Sequence, residues 1–475
     1  MKTTRTILIL LIVILLGCAK DNDTLDNSTK NLTIFFVNDV HGQIDNFPKV
    51  KHIIDAEREL TNVIVAASGD MFSGNPVVDN HPEKGYPLID IMNQIGFDVS
   101  VLGNHDFDYG TSVLKDRISQ SDFDWICANV NMENSGVPQV NAHTTIFVGD
   151  LKVTLLGLVE TGGKPGAVIP STHPWKVQDL TFERANNVVS NYTNTKETEE
   201  SDLFIALSHL GYNGYDGALG DVQLAEQNYF FDMIIGGHNH LLIDEVVNNI
   251  PIFQSGGYLN YLGKIELTVK NKSIQNINFE LIEFKNYSEF DTELQATIDN
   301  YNDLPYLKEV IGYSHQYHEK YQVGCFYTDA TRLQMNVDVT FQNTGGVRSA
   351  LDEGDITIRE IYEIEPFNNG TVIYEMTVEE IKNFLIGTGS GFYYSGLIIR
   401  KIGDNIQIND LQNREIPDDY LLSVGINDYI PAVHNLYFPD NGQIQTLSAA
   451  ETLIEYLKNN KNEINYSNCN QYFRY

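Results

Sequence analysis

Val99-Ser100-Val101-Leu102-Gly103-Asn104-His105-Asp106-Phe107-Asp108 is the stretch on which the reading of this 475-residue chain turns. A short, mostly apolar run reads as a buried strand. Directly after it come a glycine, an amide, an imidazole and two carboxylates. The same punctuation recurs four times. Leu32–Val37 ends in Asn38-Asp39-Val40-His41-Gly42, and Val63–Ala67 in Ser68-Gly69-Asp70-Met71-Phe72-Ser73-Gly74. Leu203–Leu207 ends in Ser208-His209-Leu210-Gly211, and Met233–Ile235 in Gly236-Gly237-His238-Asn239-His240. Strand-like runs alternating with helical stretches indicate an α/β domain. Open α/β sheets assemble their sites beyond the carboxyl ends of strands, so five such ends are expected to converge.

The residue types at those ends suit a metal centre. Asp39, His41, Asp70, Asn104, His209, His238 and His240 offer three oxygen donors and four imidazoles, a mixture that suits zinc, manganese or iron. Seven donors exceed one tetrahedral ion and suffice for two divalent ions if a carboxylate bridges, and Asp70 is the natural bridge. Alternation along an extended strand end is expected to turn Asp39 with His41, and His238 with His240, toward one cavity. His52, His81, His143, His173, His315 and His318 stand outside this pattern and read as ordinary.

Around this core, composition sets bounds. Hydrophobic residues make up 42%, which supports a folded protein, and the length favours at least two domains. Acidic residues number 64 against 31 basic ones, a net charge of −33, and no basic block is present to neutralise a nucleic-acid backbone. Nucleic acid is therefore not an expected partner. Lys2 and Arg5 precede an unbroken apolar run from Ile7 to Leu16, the pattern of a secretory signal. Leu15-Leu16-Gly17-Cys18 resembles the lipobox of bacterial lipoproteins, which implies a lipid on Cys18 and a membrane-anchored, exported protein on the periplasmic or cell-surface side. Cys127, Cys325 and Cys469 allow at most one internal disulfide and match no zinc spacing. Cys127, inside an apolar run, reads as a small buried hydrophobe.

The expected organisation is a signal peptide over 1–17, a lipidated tether over 18–31, a catalytic domain over 32–285, a helical linker over 286–311 and a second domain over 312–475. Val337–Phe341 and Leu421–Val424 are strands of that second domain, and Thr344-Gly345-Gly346 is a turn within it.

Asp-x-His, Gly-Asp-x-x-x-Gly, Gly-Asn-His-Asp-Phe-Asp, Ser-His-Leu-Gly and Gly-Gly-His-x-His, in that order, resemble the calcineurin-like metallophosphoesterases, and specifically the secreted 5′-nucleotidase family. The resemblance implies a four-layer α/β/β/α catalytic domain, two β-sheets sandwiched by helices, followed by a smaller α/β substrate-binding domain. By it, Asp39, His41, Asp70 and His240 would hold one ion and Asp70, Asn104, His209 and His238 the other. It places His105 beside them as a catalytic residue oriented by Asp108. Gln342-Asn343-Thr344-Gly345-Gly346-Val347-Arg348 resembles the family's glycine-rich turn, so Asn343, Gly345, Gly346 and Arg348 are candidate substrate contacts. Phe367 and Tyr429 are candidate walls of a clamp for a flat base.

Two departures bear on the substrate. The family follows its second aromatic with Gly-Gly-Asp-Gly, whereas Ala432-Val433-His434-Asn435 stands here. A basic residue expected upstream of Gly324 is replaced, with Tyr317 near its place and His318 and Lys320 close by. The leading expectation is a two-metal phosphohydrolase acting on nucleoside 5′-monophosphates. A second keeps the metals and changes the substrate to a cyclic nucleotide, a nucleotide sugar or another phosphorylated solute. A third, of another class, is a surface lipoprotein that captures nucleotides or metal without turnover.

Overall fold

The computed structural model describes residues 28–215, 217–460 and 463–475; the leader, Cys18 and most of the tether lie outside these described residues. Strands Lys30–Val37, Asn62–Ala67, Val99–Val101 and Asp124–Ile126 run parallel, and Tyr261–Lys270 and Ser273–Glu283 extend that sheet antiparallel. A second six-stranded sheet has Leu151–Val159, Leu203–His209, Met233–Ile235 and Ile250–Ser255 parallel at its centre. His143–Val148 and Leu242–Val247 are its antiparallel edges.

Side-chain alternation stacks the layers. Leu32, Ile34 and Phe36 point into a core shared with Leu155, Ile205 and Ile235 of the other sheet. Phe35 and Val37 point away, onto Phe47, Val50 and Leu88 from helices Phe47–Arg58 and Tyr86–Ile95. On the far side Phe204 and Ala206 pack with Leu224 and Ala225 of helix Asp221–Gln227. The result is the four-layer α/β/β/α arrangement that the resemblance implies. Both sheets are covered on two faces, which is why their central strands read as continuous apolar runs.

Asp291 caps helix Thr292–Asn302 through its side chain, which accepts from the Leu294 N–H. Tyr301 of this helix donates to Asp90 at 2.9 Å. Its buried Leu294 and Ile298 belong to an apolar cluster that runs from Phe47 to Phe326 and Ile361, so the two halves of the chain share one core. Beyond it, a mixed sheet takes Val339–Asn343 between Leu421–Asn427 and Gly391–Ser395. Cys325 on helix Lys320–Met335 is bridged to Cys469, and Cys127 is a buried free thiol.

Candidate active site

The strand ends do converge, through a backbone other than the extended one expected. Asp39, His41, Asp70, His238 and His240 have φ of 52°, 50°, 55°, 82° and 56°. Five of the seven donors thus adopt the left-handed region, at a cost of about 1–3 kcal/mol each. Each such residue reverses the chain directly after its strand and aims its side chain inward. Neighbouring loops hold the reversals in place: the Asp39 N–H donates to Gly69 O and the His41 N–H to Asp70 O, both at 3.0 Å. Asp106, quoted in the motif but assigned no role, pegs two loops together. Its carboxylate accepts from the N–H groups of Gly103 at 2.7 Å, Met71 at 2.9 Å and Asp70 at 3.1 Å.

The donors fall into two groups. Asp39, His41 and His240 form one and Asp70, His209 and His238 the other, with candidate ligand atoms inside each within 4.8 Å of one another. Asn104 joins the second, its Oδ1 2.9 Å from His238 Nδ1. Asp70 reaches toward both: Oδ2 is 3.1 Å from His209 Nε2 and 4.0 Å from His41 Nε2. Backbone carbonyls fix the rings, Ser73 O lying 2.9 Å from His41 Nδ1 and Ser68 O 2.7 Å from His209 Nδ1. Each ring thereby turns Nε2 to the centre, as metal-binding histidines do.

The electrostatics fit divalent cations. Burial pushes Asp39 up to about 7, and the charge of Asp70 adds to this. Burial also holds His41 well below its usual value and takes His240 down to about 3, with Arg348 reinforcing both. For His209 burial opposes the charge, but Asp70 and then Asp39 outweigh it and raise the pKa to about 10. His209 Nε2 is completely buried and makes no hydrogen bond. Buried carboxylates beside neutral imidazoles and an orphaned ring nitrogen form a donor set that a cation would complete.

His105 lies beside these groups, its N–H donating to Asp70 Oδ1 at 2.7 Å and its Nδ1 2.7 Å from Asp108 Oδ2. Burial disfavours the imidazolium, yet Asp108 and Asp70 outweigh burial and raise the pKa of His105. From the second domain Arg348 brings Nη2 to 3.1 Å from His41 Nε2. The Phe367 ring stacks on His105 at 5.4 Å, with the Arg348 guanidinium 5.6 Å from its centroid. A cavity of about 220 Å³ is bounded by Asp70, Asn104, His105, Asp108, His238 and His240 on one side. Asn343, Gly345, Gly346, Arg348, Phe367 and Tyr429 bound it on the other. Asp39, His41 and His209 lie beneath, fully buried. A side chain on Gly346 would meet Gln342 Nε2 at 2.3 Å, which explains a glycine there.

Loop 171–176, which carries no motif, also lines the cavity. Thr172 Oγ1 donates to Asp108 Oδ1 at 2.7 Å, extending the His105–Asp108 pair. His173, expected to be ordinary, stands 3.4 Å from Asp428 of the second domain. His318 is ordinary as expected: its Nδ1 pairs with Ser314 Oγ and its Nε2 accepts from the Tyr466 N–H.

Comparison with known proteins gives the same division. The calcineurin-like phosphoesterase family matches residues 32–242, and the 5′-nucleotidase C-terminal domain matches residues 298–430. The trifunctional nucleotide phosphoesterase protein YfkN of Bacillus subtilis is 28% identical over 418 residues. That match takes in 75% of this chain, which spans only 27% of the Bacillus protein's length. A 5′-nucleotidase of Vibrio vulnificus is 25% identical over 443 residues, 78% of each chain. The crystal structure of a 5′-nucleotidase precursor from Thermus thermophilus superposes with a TM-score of 0.79 at 19% identity, over 91% of this chain and 97% of that one. The chain belongs to the 5′-nucleotidase family, a calcineurin-like phosphoesterase domain followed by a 5′-nucleotidase C-terminal domain.

Proposed function

We propose that this chain is an extracytoplasmic, two-metal phosphohydrolase that converts nucleoside 5′-monophosphates to nucleoside and phosphate. The observation that carries the reading is one cavity bordered both by the donor groups that Asp70 links and by two aromatic rings, Phe367 and Tyr429. Asp39, His41, Asp70 and His240 would hold one ion, and Asp70, Asn104, His209 and His238 the other. Zinc and manganese are the first choices. When bound, such a pair polarises phosphoryl oxygens and makes water a better nucleophile.

The chain's own residues supply the rest. Asp108 holds the Nδ1 proton of His105, so that Nε2 is the atom that exchanges a proton or donates to the leaving oxygen. Arg348 offers a planar fork to the phosphoryl oxygens. Phe367 and Tyr429 supply flat faces for a base. Export is supported by the apolar run at residues 7–16 and by the Cys325–Cys469 disulfide, a bond favoured in oxidising compartments. Lipidation of Cys18 and the domain borders at 285 and 312 belong to the same proposal.

A second substrate class is favoured by one observation. The segment after Tyr429 forms helix Tyr429–Val433 and buries Ala432 and Val433. The test is a panel: protein lacking residues 1–18, loaded with zinc, manganese or cobalt, assayed for phosphate release from AMP, UMP, a cyclic nucleotide and a sugar phosphate. Release from AMP and UMP is expected. Activity confined to the sugar phosphate refutes nucleotide specificity, and two bound ions with no release from any substrate favour a capture protein.

A further inference from the structure

We propose that the cavity takes a substrate carrying a second phosphate besides the one presented to the metals, and that Lys176 binds it; this rests on the phosphohydrolase reading above. Lys176 ends the short helical turn Pro174–Lys176, in the loop that Thr172 ties to Asp108. Its Cδ lies 3.8 Å from where a Cβ on Gly110 would stand, which delivers the side chain to the cavity wall beside the His105–Asp108 pair. No carboxylate among the described residues forms an ion pair with its ammonium group. In a chain with 64 acidic residues and 31 basic ones, that is a conspicuous omission. A half-buried ammonium group without a partner is costly, and an anion entering the cavity would remove that cost.

The rest of the lining points the same way. Its only carboxylates are Asp70 and Asp108, one committed to the donor groups and the other to His105. Arg348 contributes a second cation from the opposite domain. Lys84 and Lys320 stand close behind: burial chiefly lowers their pKa values, and the charges of Lys176 and Arg348 respectively lower them further. The segment after Tyr429 adds no acid. His434 turns away from the cavity's chemistry into the apolar core, 6.3 Å from the rings of Phe384 and Phe392. Two cations on facing walls, two more nearby and no uncommitted carboxylate suit a ligand with more negative charge than one phosphate brings.

The second phosphate has two possible positions, at the far side of the sugar, as in adenosine 3′,5′-bisphosphate, or in line with the first, as in ADP. Calorimetry on the metal-loaded His105→Ala protein, which suppresses turnover, compares both with AMP. One of the two-phosphate ligands is expected to bind about tenfold to a hundredfold tighter than AMP. Lys176→Gln in that background should erase the advantage while AMP affinity stays within about twofold, and Lys176→Arg should retain it. An advantage for the bisphosphate places the site at the sugar, and one for ADP places it along the phosphate chain. Equal affinity for all three ligands overturns the proposal, as does a Lys176→Gln loss common to all three. Phosphate release from AMP by the wild-type protein is read separately, so its failure refutes the phosphohydrolase reading and not the affinity comparison.

Discussion

Asp108 Oδ2 lies 2.7 Å from His105 Nδ1, and the other oxygen of the same carboxylate accepts from Thr172 Oγ1. The imidazole is therefore fixed in tautomer and in direction before any substrate arrives. His105 makes no contact that a metal ligand in either donor group needs. His105→Ala should lower kcat by about 10²–10⁴-fold with metal content unchanged. Asp108→Asn should cost part of the same factor, and the double variant little more than His105→Ala, because both act through one ring. Elemental analysis beside the kinetics is the check. Metal lost with His105 would make it a ligand or a folding residue.

Asp70 belongs to one donor group and reaches toward the other, whereas His240 belongs to one and its side chain is 26% exposed. Asp70→Ala is accordingly expected to lose both ions and His240→Ala one. Cations also offset the close approach of Asp39 and Asp70 and help to hold five left-handed residues in place. At free metal about a hundredfold above Kd, binding should stabilise the native state by about 2.7 kcal/mol. Chelation should lower the Tm of the wild type and leave that of Asp70→Ala nearly unchanged.

The fold and the donor set were legible because each motif follows an apolar strand directly, and strand ends are where open α/β sheets place their sites. Conformation was not legible. Asp39 and His41 read as alternate residues of an extended end, yet both are left-handed, a conformation forced by contacts with the Gly69 and Asp70 carbonyls that are remote from their own segment. Thr172, His173 and Lys176 escaped notice because their loop has neither periodicity nor motif and gains meaning only from Asp108 and Asp428 across space. Likewise, the disulfide joins residues 144 positions apart, and local spacing says nothing of it.

Glu365, fully buried beneath the turn that carries Phe367, accepts from Tyr327 Oη and from Asn369 Nδ2, each at 3.1 Å. Burial pushes its pKa up to about 8 from a model value of 4.5. A carboxyl group with a raised folded-state pKa keeps more protons folded than unfolded, so its contribution is complete below the unfolded value and declines as pH rises through the folded one. Between pH 4.5 and 8 this group should reduce stability by up to about 1.4 kcal/mol per pH unit. Glu365→Gln, neutral throughout, should flatten the curve in that window. Denaturant titrations of both proteins from pH 5 to 9 decide it, and parallel curves would refute the assignment.

Tyr429 tests whether the second ring serves a base or only packs. It begins helix Tyr429–Val433, lines the cavity, and has the His173 ring edge-on at 6.0 Å. Stacking on a base contributes about 1–3 kcal/mol and needs only a flat face, so Tyr429→Phe should leave KM for AMP and UMP nearly unchanged. Tyr429→Ala should raise both by about fivefold to a hundredfold. With glycerol 3-phosphate, which has no ring to stack, the same truncation should have little effect. A loss of equal size for all three substrates would instead mean that Tyr429 supports the domain contact through His173 and Asp428, and that base recognition lies elsewhere in the cavity.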